Sequence, residues 1–214
     1  MNTYDEIAES WYRLRHWTRF KSELEEVAGR WGSGRLLNIG CAHGPDFLPF
    51  KDKFELWGLD SSEQMIALAV KYAAKFRFDA NLVAGDAARL PFKDGAFDWT
   101  IAVAAYHHIR VEKEREAAFR ELRRVMKPGG QVFITVWNRW QKAFWNKGRE
   151  TMVPWKTKEG EILRYYYLYT YPEIELQLRS AGFKVLKAYP EANYRWPLKY
   201  FSRNICVLAR ADQR

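Results

Sequence analysis

The sequence predicts a single α/β domain, built on a mostly parallel seven-stranded sheet with helices on both faces. Three observations carry that expectation. Short apolar runs alternate with helical patterns through the middle of the chain, the order of βαβ units. A glycine-containing turn follows the first apolar run, where open α/β sheets bind their ligands. The length of 214 residues suits one core, able to bury roughly 70% of the unfolded chain's surface.

RLLNIG (35–40) reads as the first strand and LWGLD (56–60) as the second. Between the second and third strands, residues 61–76 read as a helix. Its apolar face is Met65, Leu68, Ala69, Tyr72, Ala73 and Phe76, spaced by three and four. Ser61 or Ser62 would cap it, with Glu63 in the first turn. NLVAGD (81–86) and FDWTIAVAA (97–105) supply strands three and four. A second helix over 111–127 turns Val111, Ala118, Leu122, Val125 and Met126 inward and stops at Pro128-Gly129-Gly130. QVFITVW (131–137) is strand five. Residues 138–170 are aromatic and basic without a clean period, and read as an insertion. A helix over 171–183 and strands at 184–189 and 204–210 complete the sheet. The first 30 residues read as one or two helices laid over it.

The two cysteines, Cys41 and Cys206, lie far apart with neither metal nor disulfide spacing, as in a reducing compartment. No metal site is expected. The first residues lack the apolar core of a secretory signal, and no apolar run approaches the roughly 20 residues of a membrane span. A cytoplasmic protein is the expectation. The formal charge is +9, distributed as 0 over residues 1–35, +1 over 36–136 and +8 over 137–214. That last third also holds 16 of the 35 aromatic residues. Basic and aromatic side chains together can neutralise phosphates and stack on unpaired bases.

The first turn, LLNIGCAHGPDF (36–47), places Gly40 and Gly44 where backbone N–H groups can approach a ligand closely. It reads GxxxG, with Ala42 between, and so departs from the GxGxxG of dinucleotide sites. Asp60 ends the second strand about twenty residues on, where an acid can accept from ribose hydroxyls. Asp86 ends the third, where a carboxylate can accept from an adenine amino group. Together with FDWTIAVAAYHHI, these positions resemble class I S-adenosylmethionine-dependent methyltransferases, whose loop reads acid-x-Gly-x-Gly-x-Gly. Asn38 stands at the acid and Ala42 at the middle glycine. The resemblance implies a Rossmann-like fold and S-adenosyl-L-methionine as cofactor. It implies a site of Asn38, Gly40, Cys41, Ala42, Gly44, Asp60, Ser61, Asp86, Ala87 and Ala104. Trp11 and Arg15 would close over it. The chain then divides into a helical cap (1–34), a cofactor-binding core (35–137), a basic aromatic insertion (138–170) and a closing helix with strands (171–214).

After strand four comes Tyr106-His107-His108-Ile109 rather than the N-P-P-Y of enzymes that methylate amide or amino nitrogens. Val153-Pro154-Trp155 and Arg164-Tyr165-Tyr166-Tyr167-Leu168-Tyr169 resemble tRNA methyltransferases that esterify 5-carboxymethyluridine at the wobble position. These include the methyltransferase domain fused to an AlkB-like hydroxylase. The resemblance extends to Tyr4-Asp5-Glu6-Ile7-Ala8, His107-His108, Arg115 and Val136-Trp137. Tyr167 stands where that family usually has histidine. The resemblance implies His108, Arg115 and Arg164 as catalytic residues on the acceptor side. His107, Trp155, Tyr165 and Tyr166 would bind the substrate. A tRNA anticodon loop and a small zinc-ribbon activator protein would be the partners; Trp17 and Trp31, without an obvious core assignment, are compatible with a buried interface. A carboxylate is already nucleophilic at neutral pH, so the reaction needs positioning more than a base, and guanidinium groups suit that task. Two other readings stay open at this point. One is a small-molecule enzyme acting on a quinone or phenol, with His107 or His108 as base. The other is a catalytically silent RNA-binding relative.

Overall fold

The computed structural model describes residues 2–157 and 160–212. Two helices come first, α1 (Thr3–Leu14) and α2 (Lys21–Trp31). The alternating core follows: β1 (Gly34–Ile39), β2 (Phe54–Asp60), α3 (Glu63–Phe76), β3 (Asn81–Ala84), β4 (Phe97–Val103), α4 (Glu112–Val125) and β5 (Met126–Trp137). A hairpin, β6 (Glu150–Thr157) and β7 (Gly160–Tyr167), precedes α5 (Tyr171–Ser180), β8 (Phe183–Pro190) and β9 (Asn204–Ala211). Seven strands form one sheet in the order β3-β2-β1-β4-β5-β9-β8. The first five are parallel, and β9 runs antiparallel between β5 and β8. The strand order reverses between β1 and β4, so a crevice opens at their carboxyl ends.

Buried strands position that crevice. Leu36, Leu37, Asn38 and Ile39 of β1 are all within 1% of full burial, as expected of a strand covered on both faces. Leu37 and Ile39 join the cluster under α4 and α5. Leu36 packs with Phe47, Tyr72 and Phe133 under α2 and α3. Ser62 caps α3 by accepting from the Met65 N–H at 3.0 Å, and Met65, Leu68, Ala69, Tyr72 and Ala73 are its buried face.

Several boundaries differ from the sequence expectation. Helix α4 ends at Val125, and Met126–Gly130 already belong to β5. Pro128 disfavours a helical residue before it, and Gly130 lies where a Cβ would sit 2.6 Å from the Asp98 carbonyl oxygen. Val111 caps the helix and is 49% exposed; Arg115 and Phe119 fill the buried face instead. Helix α5 stops at Ser180, followed by Gly182 at φ +90°. Trp31 is a core residue, stacked on Trp99 with centroids 5.1 Å apart, so it offers no surface to a partner. Trp17 is 61% exposed.

The irregular stretch after β5 contains the hairpin, paired from Glu150↔Tyr167 to Thr157↔Gly160. Its root is fixed by Asn138, whose Nδ2 donates to the Tyr200 and Ser202 carbonyls, both at 2.8 Å. Asn138 Oδ1 accepts from the Trp140 N–H at 3.1 Å. Asn138→Ala strips the Tyr200 carbonyl and the buried Ser202 carbonyl of their donor and should cost about 1–3 kcal/mol. The check is a urea denaturation midpoint; a midpoint equal to the parent's would show that the hairpin root is held by other contacts.

Candidate active site

Strand β1 runs into a turn that only a short list of residues could make. Gly40, Ala42 and Gly44 have φ of +70°, +46° and +92°, the left-handed region that favours glycine. At Gly40 space matters as well, since a Cβ would lie 2.4 Å from Ala105 Cβ. The turn is pinned to β2: the Gly40 and Cys41 N–H groups donate to the Leu59 carbonyl at 2.7 and 3.0 Å. The Ala42 N–H donates to Asp60 Oδ2 at 2.8 Å, and the Ser62 N–H to Oδ1 at 3.0 Å. Burial raises the Asp60 carboxyl above its ordinary pKa, against the hydrogen bonds from Ser62 and Ala42. Each carboxylate oxygen retains acceptor capacity beyond the one bond it receives.

A cleft of about 630 Å³ opens above these residues. Gly40, Ala42, Asp60 and Ser61 line it, with Asp86, Ala87 and Ala104 beside them. Asp86 is exposed and accepts from the Ala88 N–H at 2.8 Å. Asn38, Cys41 and Gly44 do not reach the cleft. Asn38 is fully buried with both amide atoms unpartnered. Cys41 packs behind the turn, its Sγ 3.0 Å from where a Cβ on Gly58 would lie. Gly44 shapes the turn. The sequence reading missed Asp46, a buried lining residue whose carboxyl burial pushes up to about 6. Its position two residues after Gly44 was the available signal. It also missed Arg19 and Arg203 at the cleft, which come from distant segments with no local pattern.

Opposite the turn, β4 ends in a 3₁₀ turn, Tyr106–His108, and both histidines line the cleft. His107 Nδ1 lies 3.2 Å from the Trp137 N–H, and His108 Nδ1 lies 3.0 Å from the Tyr165 carbonyl. Burial lowers both imidazole pKa values, that of His108 to about 4. His107, Tyr166 and Trp137 form a stack, with centroids 5.1 and 4.1 Å apart.

The hairpin brings Arg164 to the same place. It is 5% exposed, its Nε has no partner, and among the described residues no carboxylate forms an ion pair with it. The guanidinium carbon lies 4.9 Å from the Trp155 ring centre, 5.3 Å from Tyr166 and 5.6 Å from Trp11. Trp155 is tied to α1 by a 2.8 Å hydrogen bond from Nε1 to Ser10 Oγ. Arg15 stands over the same two indoles, 5.6 Å from Trp11 and 5.8 Å from Trp155. Among the described residues no cluster of His, Cys, Asp or Glu is placed to hold a metal ion, and no helix is long and apolar enough to cross a membrane.

Two expected acceptor-side residues stand elsewhere. Arg115 is buried but does not line the cleft. It donates to the carbonyls of Ile109 and Arg110 at 3.0 and 2.7 Å, with its guanidinium carbon 3.9 Å from the Tyr167 ring centre. It therefore buttresses the histidine turn from behind. Tyr165 also stays outside the lining and meets the site through its carbonyl on His108. The Tyr167 hydroxyl donates to Glu173, which pairs with Arg149 at 2.6 Å. Arg115→Ala should lower the denaturation midpoint by the equivalent of about 2–3 kcal/mol, the cost of two charge-assisted bonds. An unchanged midpoint with lost activity would return the guanidinium to the acceptor side.

Known proteins bear on this geometry. The family model described as a methyltransferase domain matches residues 36–130. A putative methyltransferase from Encephalitozoon cuniculi is 30% identical over 182 residues, covering 81% of this chain and 80% of that protein. A tRNA (carboxymethyluridine(34)-5-O)-methyltransferase from Arabidopsis thaliana is 32% identical over 136 residues, 63% of this chain and 31% of that protein. Across the relatives named as tRNA methyltransferases, the match spans only 19–32% of their length. Among solved structures, an S-adenosylmethionine-dependent methyltransferase from Clostridium acetobutylicum superposes with a TM-score of 0.76 at 15% identity, over 99% of this chain and 100% of that one. A putative methyltransferase from Haloferax volcanii, solved in complex with the Trm112 methyltransferase activator, gives 0.70 at 17%, over 99% and 97%. With its seven-stranded sheet, glycine turn and acid at the end of β2, the chain belongs to the class I S-adenosylmethionine-dependent methyltransferases.

Proposed function

We propose that this methyltransferase esterifies a carboxylate on tRNA, that of 5-carboxymethyluridine at the wobble position. The observation that carries the reading is Arg164. A buried guanidinium with no carboxylate partner is costly unless a ligand supplies the anion, and an arginine fork matches a carboxylate through two bonds. The Arabidopsis relative named for this reaction supports the choice of acceptor.

Asp60 and the Gly40–Ala42 backbone are the residues that would hold the cofactor, Asp60 taking the ribose hydroxyls with its remaining lone pairs. Asp86 and Ala87 would meet the adenine. When bound, S-adenosylmethionine supplies a methyl group on a sulfonium, which leaves as a neutral thioether when the carboxylate oxygen forms the new C–O bond. The acceptor is already ionised at neutral pH, so no proton has to be removed. Neutral His107 and His108 fit that requirement, for neither has to act as a base. Arg164 holds the carboxylate in line. Trp11, Arg15 and Trp155 close the site from α1 and the hairpin, which excludes water. Arg19 and Arg203 at the cleft, and the basic aromatic surface beyond, including Trp140, Trp145 and Trp196 at 44%, 55% and 72% exposure, suit phosphates and splayed bases of an anticodon loop. The Haloferax complex supports an activator of the Trm112 kind as a second partner.

Incubating undermodified tRNA with this protein, the activator and methyl-labelled cofactor should give a methyl ester that mild alkali releases as methanol. An alkali-stable label would contradict the carboxylate acceptor. Asp60→Ala should lose cofactor binding. Arg164→Ala should keep it while losing about 2–4 kcal/mol of transition-state binding, or roughly 30- to 1,000-fold in kcat/KM. Equal turnover in Arg164→Ala and the parent would remove that residue from the acceptor site.

A further inference from the structure

The two neutral histidines at the end of β4 are held in opposite tautomers by backbone partners that leave no choice. A backbone N–H only donates, so His107 Nδ1, facing the Trp137 N–H at 3.2 Å, must be the unprotonated nitrogen. Its proton then sits on Nε2, a buried donor with no partner among the described residues. A carbonyl only accepts, so His108 Nδ1, facing the Tyr165 oxygen at 3.0 Å, carries the proton. Its Nε2 is left as an acceptor. Both rings line the cleft with centroids 4.3 Å apart. Because burial keeps both imidazoles neutral at pH 7, this polarity is fixed rather than titrated. An unpartnered buried donor is a cost that a ligand acceptor removes.

We propose that His107 and His108 form a base-reading pair for the imide edge of uracil, His107 Nε2–H donating to O4 and His108 Nε2 accepting from N3–H. This rests on the tRNA reading above and names what selects the base. Cytosine presents the reverse pattern on the same edge, an amino donor at position 4 and an acceptor at N3. It would set donor against donor and acceptor against acceptor. Neither histidine can swap tautomer to rescue that arrangement without breaking its backbone bond. The uracil C5 substituent lies next to O4, and Arg164 stands against Tyr166, the ring stacked on His107. One base can therefore offer its edge to the pair and its carboxylate to the guanidinium. Sites that hydrogen-bond a specific edge reject the mismatched one strongly, because their own buried groups are left unpaired.

Asparagine separates the structural bond of each histidine from its reading bond. In His107→Asn the amide oxygen can still accept from Trp137, and in His108→Asn the amide nitrogen can still donate to Tyr165, but each variant lacks Nε2. The test measures binding of two anticodon stem-loops that differ only in uridine or cytidine at the wobble position, neither carrying a carboxymethyl group. Removing that group makes the result independent of whether the acceptor is a carboxylate. The parent should prefer uridine by about 10- to 100-fold. Each Asn variant should lower that ratio several-fold, and the double variant should bring it close to one, with a cooperative unfolding transition and the parent's cofactor affinity retained. A parent that binds both loops equally, or Asn variants that keep the parent's ratio, would overturn the pair. The alkali test fails or succeeds separately, so loss of the ester reading and loss of this one are distinguishable.

Discussion

The contact on which the site depends is the approach of Gly40 to Ala105, so close that a Cβ on residue 40 would lie 2.4 Å from the Ala105 methyl. It lets the turn after β1 and the turn after β4 sit side by side at the point where strand order reverses. One turn carries the backbone groups and is tied to Asp60, which together are proposed to hold the cofactor. The other carries the two histidines. A side chain at residue 40 would push them apart, and a displacement of even an ångström separates a methyl group from its acceptor by more than in-line transfer tolerates. Glycine here is a requirement of distance as much as of φ.

Around that contact the later part of the chain supplies what the sheet cannot. Hairpin β6–β7 packs through Trp155 against Ile7, Ala8, Met65 and Leu68, so Arg164 arrives on an element anchored to both α1 and α3. Its guanidinium lies among the rings of Trp11, Trp155 and Tyr166, whose faces partly offset its lost hydration. They supply no counter-charge. On the proposed reading, a buried guanidinium without a carboxylate partner favours an anionic acceptor over a phenol, which would instead require a nearby base. The histidines are weak candidates for that base because burial lowers both imidazole pKa values, that of His108 to about 4.

The sheet could be read from the sequence because its strands are covered on both faces and its helices on one, so period and burial coincide. LLNI of β1 and the 65–73 face of α3 are examples. The hairpin was invisible for the opposite reason. On β6 only Trp155 is buried among eight residues; shielding alternates along the strand, but Thr151 and Thr157 stand on the shielded side and Met152 on the exposed one, so the apolar pattern of the sequence does not follow it. Asp60 was legible as an acid at a strand end. Asn38 and Cys41 were not correctly placed, since a motif gives order along the chain but not which side of a turn faces the ligand. Arg115 was singled out by resemblance alone, and the contact with Tyr167 that turns its side chain from the cleft comes from a residue 52 positions away. Arg19 and Arg203 converge on Tyr166 from opposite ends of the chain.

In the proposed reaction Arg164 meets a carboxylate, and a double-mutant cycle isolates that contact. Stem-loop RNA with 5-carboxymethyluridine at the wobble position is compared with the neutral carboxamide analogue, on the parent and on Arg164→Met, by equilibrium binding. The parent should favour the carboxylate and the variant should not, with a coupling energy of about 1.5–3 kcal/mol. A coupling near zero, with the parent's preference intact in Arg164→Met, would contradict that contact.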